Sequence, residues 1–202
     1  MLASDAFCKH THKTHLYSIQ AIENIPSILQ HGILCYNDAR RYQHVSIALE
    51  DVQNRRSAAR VPNGRMLHQY ANLYFDYFNP MLSRVRARNH EICVLAINYR
   101  ILDTDGCVLT DRNAATEIVR FLDPINEIDQ IDFVKVYDKF WNHPDEYEKS
   151  NHKAIKCAEA LIPGKVPCEY ITDALVADEN AKQRLTQLGF IKNIHVDASR
   201  FF

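Results

Sequence analysis

The sequence predicts one α+β domain, and three observations carry that expectation. The chain has 202 residues, 47% of them hydrophobic and 24% charged; a domain of that size can bury roughly 70% of its unfolded surface without a metal or disulfide staple. Helical patterns come early and strand-like patterns dominate later, without the regular alternation of a doubly wound parallel sheet. No linker, repeat or low-complexity stretch divides the chain, so residues 1–202 read as a single domain.

Residues 1–14, rich in polar side chains, read as a flexible N-terminal arm. A strand is expected at 16–19. Ile22, Ile25, Ile28 and Leu29 then fall at helical spacing, with Pro26 tolerable in a first turn and Gly32 placed as a C-cap, which predicts a helix over 22–31. Residues 37–43 read as loop, 44–48 as strand, 51–60 as helix and 61–64 as a turn. The aromatic alternation at 73–78, the apolar run at 92–97 and the shorter segment at 107–109 read as strands. Residues 113–121 are expected to be helical. Period-two alternation marks 131–137 as a half-buried strand, and the polar, irregular stretch 139–156 as a long functional loop. Strands at 158–162, 170–176 and 190–196 and a helix over 178–188, capped by Asp178, complete the chain.

Composition narrows the function. With 24 Lys+Arg against 25 Asp+Glu the formal net charge is −1, which excludes a bulk cationic coat for nucleic acid but not a local basic groove. The five glycines stand apart and form neither GxGxxG nor GxxxxGK[ST], so a dinucleotide would have to be held without a Rossmann or P-loop turn. Six dispersed cysteines without a CxxC pair, and no charged-then-apolar leader at Met1, point to a reduced, cytoplasmic chain. No apolar run approaches the roughly 20 residues of a membrane span, so no membrane partner is expected.

Several side chains are candidates for chemistry. His10, His12 and His15 lack a companion carboxylate or cysteine cluster, and no metal is expected. Cys157 lies among small and apolar neighbours and reads as a buried, inert thiol. Glu159 stands inside an otherwise apolar strand, where an acid is either at a solvent-facing end or aimed into a cleft to stabilise a sugar cation. Arg55 and Arg56 are adjacent on a helix and point about 100° apart, so one of them at most reaches a shared ligand. Arg84, Arg86 and Arg88, if extended, form a phosphate track, to which Lys149, His152, Lys153 and Lys156 add charge. Tyr74, Phe75, Tyr77 and Phe78 are either base-stacking groups or core.

Taken as strings, these segments resemble one family. Leu16-Tyr17-Ser18-Ile19 with the block from Ile22 to Leu34, His44-Val45-Ser46-Ile47-Ala48 with Val52-Gln53-Asn54-Arg55-Arg56, the aromatic block from Tyr70 to Leu82, Thr110-Asp111-Arg112-Asn113-Ala114-Ala115, and Lys156-Cys157-Ala158-Glu159-Ala160-Leu161-Ile162 follow the order of the DarT family of DNA ADP-ribosyltransferase toxins. The resemblance implies an α+β ADP-ribosyltransferase fold with a split mixed sheet and flanking helices. It implies NAD as co-substrate without a metal, ADP-ribose transfer to a base of single-stranded DNA, and a macrodomain antitoxin as partner of a monomeric enzyme. It makes Glu159 the catalytic carboxylate, Arg55 the NAD-binding arginine, Tyr17, Ser18, Gln20 and Tyr74 cofactor contacts, and 139–158 the loop that presents the acceptor. Two departures stand out. Ser18-Ile19-Gln20 replaces the family's common His-x-Thr, and Phe78-Asn79 replaces Arg-Ser before Pro80-Met81-Leu82. The alternatives are the same chemistry on an RNA base or a protein side chain, and a catalytically silent nucleic-acid-binding module.

Overall fold

A computed structural model describes residues 1–202. In chain order the elements are α1 (Ala3–Thr11), β1 (His15–Ala21), α2 (Ile25–His31), β2 (Ile33–Leu34), α3 (Tyr36–Ala39), α4 (Glu50–Ala58), β3 (Tyr70–Tyr74), α5 (Pro80–Arg84), β4 (Ile92–Asn98), β5 (Val108–Thr110) and β6 (Phe121–Leu122). They continue with α6 (Phe133–Tyr137), α7 (Glu146–Lys156), β7 (Glu159–Pro163), β8 (Lys165–Val166), β9 (Ile171–Val176), α8 (Glu179–Gln187) and β10 (Asn193–Val196). The main sheet has eight strands in the order β10-β9-β4-β1-β3-β7-β5-β6, and β2 pairs β8 separately. The α+β expectation holds.

That sheet is split at its middle. β1 pairs β4 along its whole length, from His15 opposite Asn98 to Ala21 opposite Ile92, and β3 pairs β7 from Tyr70 opposite Pro163 to Tyr74 opposite Glu159. Between β1 and β3 there is one paired position, Tyr17 opposite Tyr74. Beyond it the two half-sheets diverge, which leaves strand edges that side chains rather than a ladder must occupy.

Alternation along β4 explains its apolar run. Cys93, Leu95 and Ile97 join the larger core, while Ile92 and Val94 pack on the opposite face with Ile19, Leu82, Val85 and Phe201, so the strand is buried on both sides. Gly32 ends α2 at φ +84°, where a Cβ would lie 2.4 Å from the Val166 carbonyl oxygen. Only glycine permits both that backbone and the close approach of β2 to β8.

Several expectations are corrected. The N-terminal arm is a helix, because Ala3, Ala6 and Phe7 form a buried stripe; Phe7 stacks on Phe75 at 5.8 Å and the Ser4 hydroxyl donates to Asp103 at 2.7 Å. Residues 44–48 form no strand: the Asn24 side chain donates to the Val45 carbonyl at 2.9 Å and accepts from its N–H at 2.8 Å, taking the groups a ladder would use. The segment 37–43 includes part of α3, and 113–121 is a series of turns running into β6. The period-two segment 131–137 folds mostly as α6, capped by Asp132, whose carboxylate accepts from the Lys135 N–H at 3.0 Å. The second half of the expected loop 139–156 is α7, capped by Asp145. No helix is long and apolar enough to cross a membrane.

Candidate active site

Glu159 opens β7 and is fully buried. Its place in the row is fixed on both sides: Tyr74 of β3 is its partner, and β5 continues its register toward Thr110 from Leu109 opposite Ala160. There the Thr110 hydroxyl replaces a ladder bond, accepting from the Glu159 N–H at 3.1 Å and donating to the Glu159 carbonyl at 3.2 Å. The carboxylate accepts the Ala114 N–H at 3.0 Å and lies against Arg56, whose Nη1 is 3.0 and 3.2 Å from its two oxygens. A buried acid needs such partners to offset the loss of water.

The motif from Thr110 to Ala115 therefore cradles Glu159. Asp111 braces it by accepting from the Arg120 N–H at 2.9 Å and pairing with the Arg112 and Arg120 guanidinium groups at 3.1 Å. Burial pushes the Asp111 carboxyl up, but the Arg120 N–H and the two arginines outweigh it and hold it below the usual carboxylate range.

Arg56 comes from α4, where Val52, Gln53 and Arg56 form the inward face and Arg55 points to solvent. It lies on the wall of a cleft of about 760 Å³ that opens at the divergence of β1 and β3, a volume in the range of small-molecule sites. Ser18 and Gln20, two apart on β1, face the cleft and bond to each other at 2.8 Å. Tyr36 and His68 stack at 4.0 Å at one end, where burial and the Arg56 and Arg40 charges lower the His68 pKa. Met81, Arg84, Arg86, Trp141, Lys153 and Phe202 form another part of the lining, in which the Trp141 and Phe202 rings lie 5.6 Å apart. Tyr74 lies on the cleft wall, its hydroxyl pushed well above the usual range by burial and then by Glu159.

The sequence matches the family model for "ssDNA thymidine ADP-ribosyltransferase, DarT" over residues 17–202. The chain belongs to the DarT family. A DNA ADP-ribosyl transferase–DNA ADP-ribosyl glycohydrolase fusion protein of Thermosipho africanus is 32% identical over 93% of this chain, which spans 49% of that relative. A DNA ADP-ribosyl transferase of Escherichia coli O127:H6 is 28% identical, covering 90% of this chain and 88% of its own length. Among solved structures, Thermus sp. 2.9 DarT in complex with ADP-ribosylated ssDNA superposes with a TM-score of 0.80 at 25% identity, covering 95% of this chain and 97% of the other.

On this DarT fold the expected site residues separate into those that meet and those that do not. Glu159, Ser18, Gln20, Tyr74, Arg84, Arg86 and Lys153 stand at or directly behind the cleft. Arg55 is exposed and away from it, because the helix turns that position outward; Arg56 occupies the inward position. Tyr17, on the strand face opposite Ser18, packs edge-on against Tyr77 at 4.8 Å and lies outside the lining; burial, then Tyr77 and Asp76, raises its pKa to about 12. The three arginines do not form an extended track, since Arg84 ends α5 and a 3-10 helix carries Arg86 and Arg88. Arg88 is paired with Glu91 and Lys149 with Glu146.

His152 and Lys156 are buried and spoken for. His152 bonds the Lys135 carbonyl at 3.0 Å and His143 at 2.7 Å, and Lys156 bonds Asp76 and two backbone carbonyls. Both point into the protein rather than toward solvent. Burial, and then Glu159, pushes the Cys157 thiol up to about 12, in keeping with an inert sulfur. No group of three or more His, Cys, Asp or Glu is placed to hold a metal. Sequence reasoning missed the cradle role of Thr110 and Ala114 and the cleft positions of Tyr36, His68 and Trp141. The first was visible as a motif without a role; the others carried no local signal.

Proposed function

We propose that the chain is an NAD-dependent ADP-ribosyltransferase that modifies a base of single-stranded DNA and releases nicotinamide. The observation that carries this reading is the buried Glu159 carboxylate, held by the Thr110–Ala114 cradle and covered by Arg56 at the point where the sheet splits onto the cleft. Arg56 keeps Nε and Nη2 free of protein acceptors, and a guanidinium with open donors is suited to a pyrophosphate. Nη1 stays on the carboxylate while Nε and Nη2 take the pyrophosphate, so that one arginine holds NAD beside Glu159.

The bond between nicotinamide and ribose C1′ breaks and leaves its electron pair on nicotinamide. Positive charge develops on the ribose, and Glu159 stabilises that charge more in the transition state than in the ground state. A ring nitrogen of the base then forms the new bond to C1′, and its proton passes to Glu159 or water. Ser18 and Gln20 supply polar contacts where relatives of the family commonly carry His and Thr. Arg84, Arg86 and Lys153 hold the phosphates of the acceptor strand, with Trp141 and Phe202 beside its bases.

The family description supports thymidine as the acceptor, and the match to a transferase–glycohydrolase fusion supports a macrodomain-type glycohydrolase as the partner that removes the mark. On this reading the enzyme acts as a monomeric toxin in the cytoplasm. The test is incubation with NAD and oligonucleotides that differ in a single base, in DNA and RNA form, with nicotinamide release and oligonucleotide mass as readouts. Transfer to DNA that is lost in Glu159→Ala is expected. Labelling of RNA or protein alone, or no nicotinamide release, overturns the reading.

A further inference from the structure

We propose that Lys156 is a positioning residue that sets the acceptor end of the cleft by tying its two walls together; the inference rests on the reading above that DNA enters at that end. Its ammonium is fully buried and uses all three of its donors, on Asp76 Oδ2 at 2.6 Å, the Val136 carbonyl at 2.7 Å and the Asp138 carbonyl at 2.8 Å. It also lies 5.6 Å from the centre of the Trp141 ring.

Two of those bonds cap the C-terminal carbonyls of α6, which have no partners within their own helix. They fix the start of the segment that carries Trp141 and Asn142 into the cleft. One turn earlier on the same face of α7, His152 holds the Lys135 carbonyl at 3.0 Å and is hydrogen-bonded to His143 at 2.7 Å, which pins the far part of that segment.

The third bond reaches the opposite wall. Asp76 follows β3, and its carbonyl accepts from Asn79 at 2.8 Å. Asn79 in turn caps α5 through the Met81 and Leu82 N–H groups at 2.9 and 3.2 Å, and α5 presents Pro80, Met81, Ser83 and Arg84 to the cleft. Lys156 stands three residues before Glu159 in the chain, so this tie is referenced to the carboxylate. The residues assigned to the NAD side, Ser18, Gln20 and Arg56, make no hydrogen bond with it. Its loss therefore misplaces the acceptor and leaves the donor site intact.

The experiment compares Lys156→Met, which keeps most of the stem and removes the ammonium, with the unaltered chain. Steady-state parameters are measured separately for NAD and for a single-stranded oligonucleotide, together with acrylamide quenching of Trp141, the only tryptophan. The expected result is a drop of about a hundredfold in kcat/KM for the oligonucleotide, the scale of an ångström-sized misplacement, with KM for NAD unchanged and Trp141 more accessible. Asp76→Asn removes the anionic leg alone and gives the same pattern more weakly, and it decides the matter if Lys156→Met fails to fold. Equal loss on both substrates, or unchanged quenching of Trp141, overturns the proposal. An unaltered chain that transfers nothing to DNA instead overturns the functional reading, and the quenching comparison still decides whether Lys156 ties the walls.

Discussion

Arg56 gives a single nitrogen, Nη1, to both oxygens of Glu159, at 3.0 and 3.2 Å. The pair is nearly shut off from water, with side-chain exposures of 8% and 0%. A bifurcated contact of this kind neutralises the carboxylate while sparing the rest of the guanidinium fork. The arginine can thus serve its acid and an incoming anion together.

Arg56→Lys keeps a positive charge but not the fork. Transfer is expected to fall by about a hundredfold or more, the usual scale for losing one preorganised electrostatic group. Arg56→Ala strands a buried carboxylate and costs about 3–5 kcal/mol of stability as well. Arg55→Ala changes neither. Kinetics and urea unfolding of the three variants check this; a loss confined to Arg55→Ala would reverse the assignment.

Thr110→Val is nearly isosteric but leaves the Glu159 N–H and carbonyl without the hydroxyl that serves both. Stability falls by about 1–3 kcal/mol, the cost of an unsatisfied buried group. Because the backbone of Glu159 shifts, kcat falls while KM for NAD holds. Parallel measurement of kcat and KM is the check, and an unchanged kcat would show that the hydroxyl does not set the carboxylate.

Phe7 is fully buried against Phe75 and Phe133. Phe7→Ala is expected to cost about 3–5 kcal/mol, read as a lower urea midpoint with an unchanged slope. A mutation in a flexible arm would leave the midpoint where it was.

Asp111 sets an acid limit. Its folded carboxyl is held below the usual range, so on acidification the unfolded chain takes up the proton first. Its stabilisation is complete above about pH 4, the ordinary carboxyl range, and is lost as pH falls through the lower folded value. The stability difference between the unaltered chain and Asp111→Asn, measured from pH 7 to pH 3, should shrink below about pH 4. A difference independent of pH would mean that Asp111 acts through packing alone.

Legibility in the sequence followed from how local each signal was. Glu159 could be picked out because an acid in an apolar strand is conspicuous within five residues. The helix α6 was misread because its string carries both periods: Val136 is buried with Phe133 and Tyr137 packed alongside, while Val134 is 84% exposed, and the Asp132 cap decides for helix. In α7 the inward stripe is His152, Ile155 and Lys156, and two polar residues on that face disguise it as loop. The choice between Arg55 and Arg56 depends on the rotational phase of α4, which composition leaves open.

The cradle of Glu159 is assembled from distant chain. Its bonds reach back 45 residues to Ala114, 49 to Thr110 and 103 to Arg56. Contacts of such separation close late, after most loop entropy has been lost. No fragment holding Glu159 and its immediate neighbours can reproduce the site, and a chain emerging from the ribosome stays chemically silent until β7 has docked between β3 and β5. Under the proposed transfer to DNA, folding is itself the switch that turns activity on.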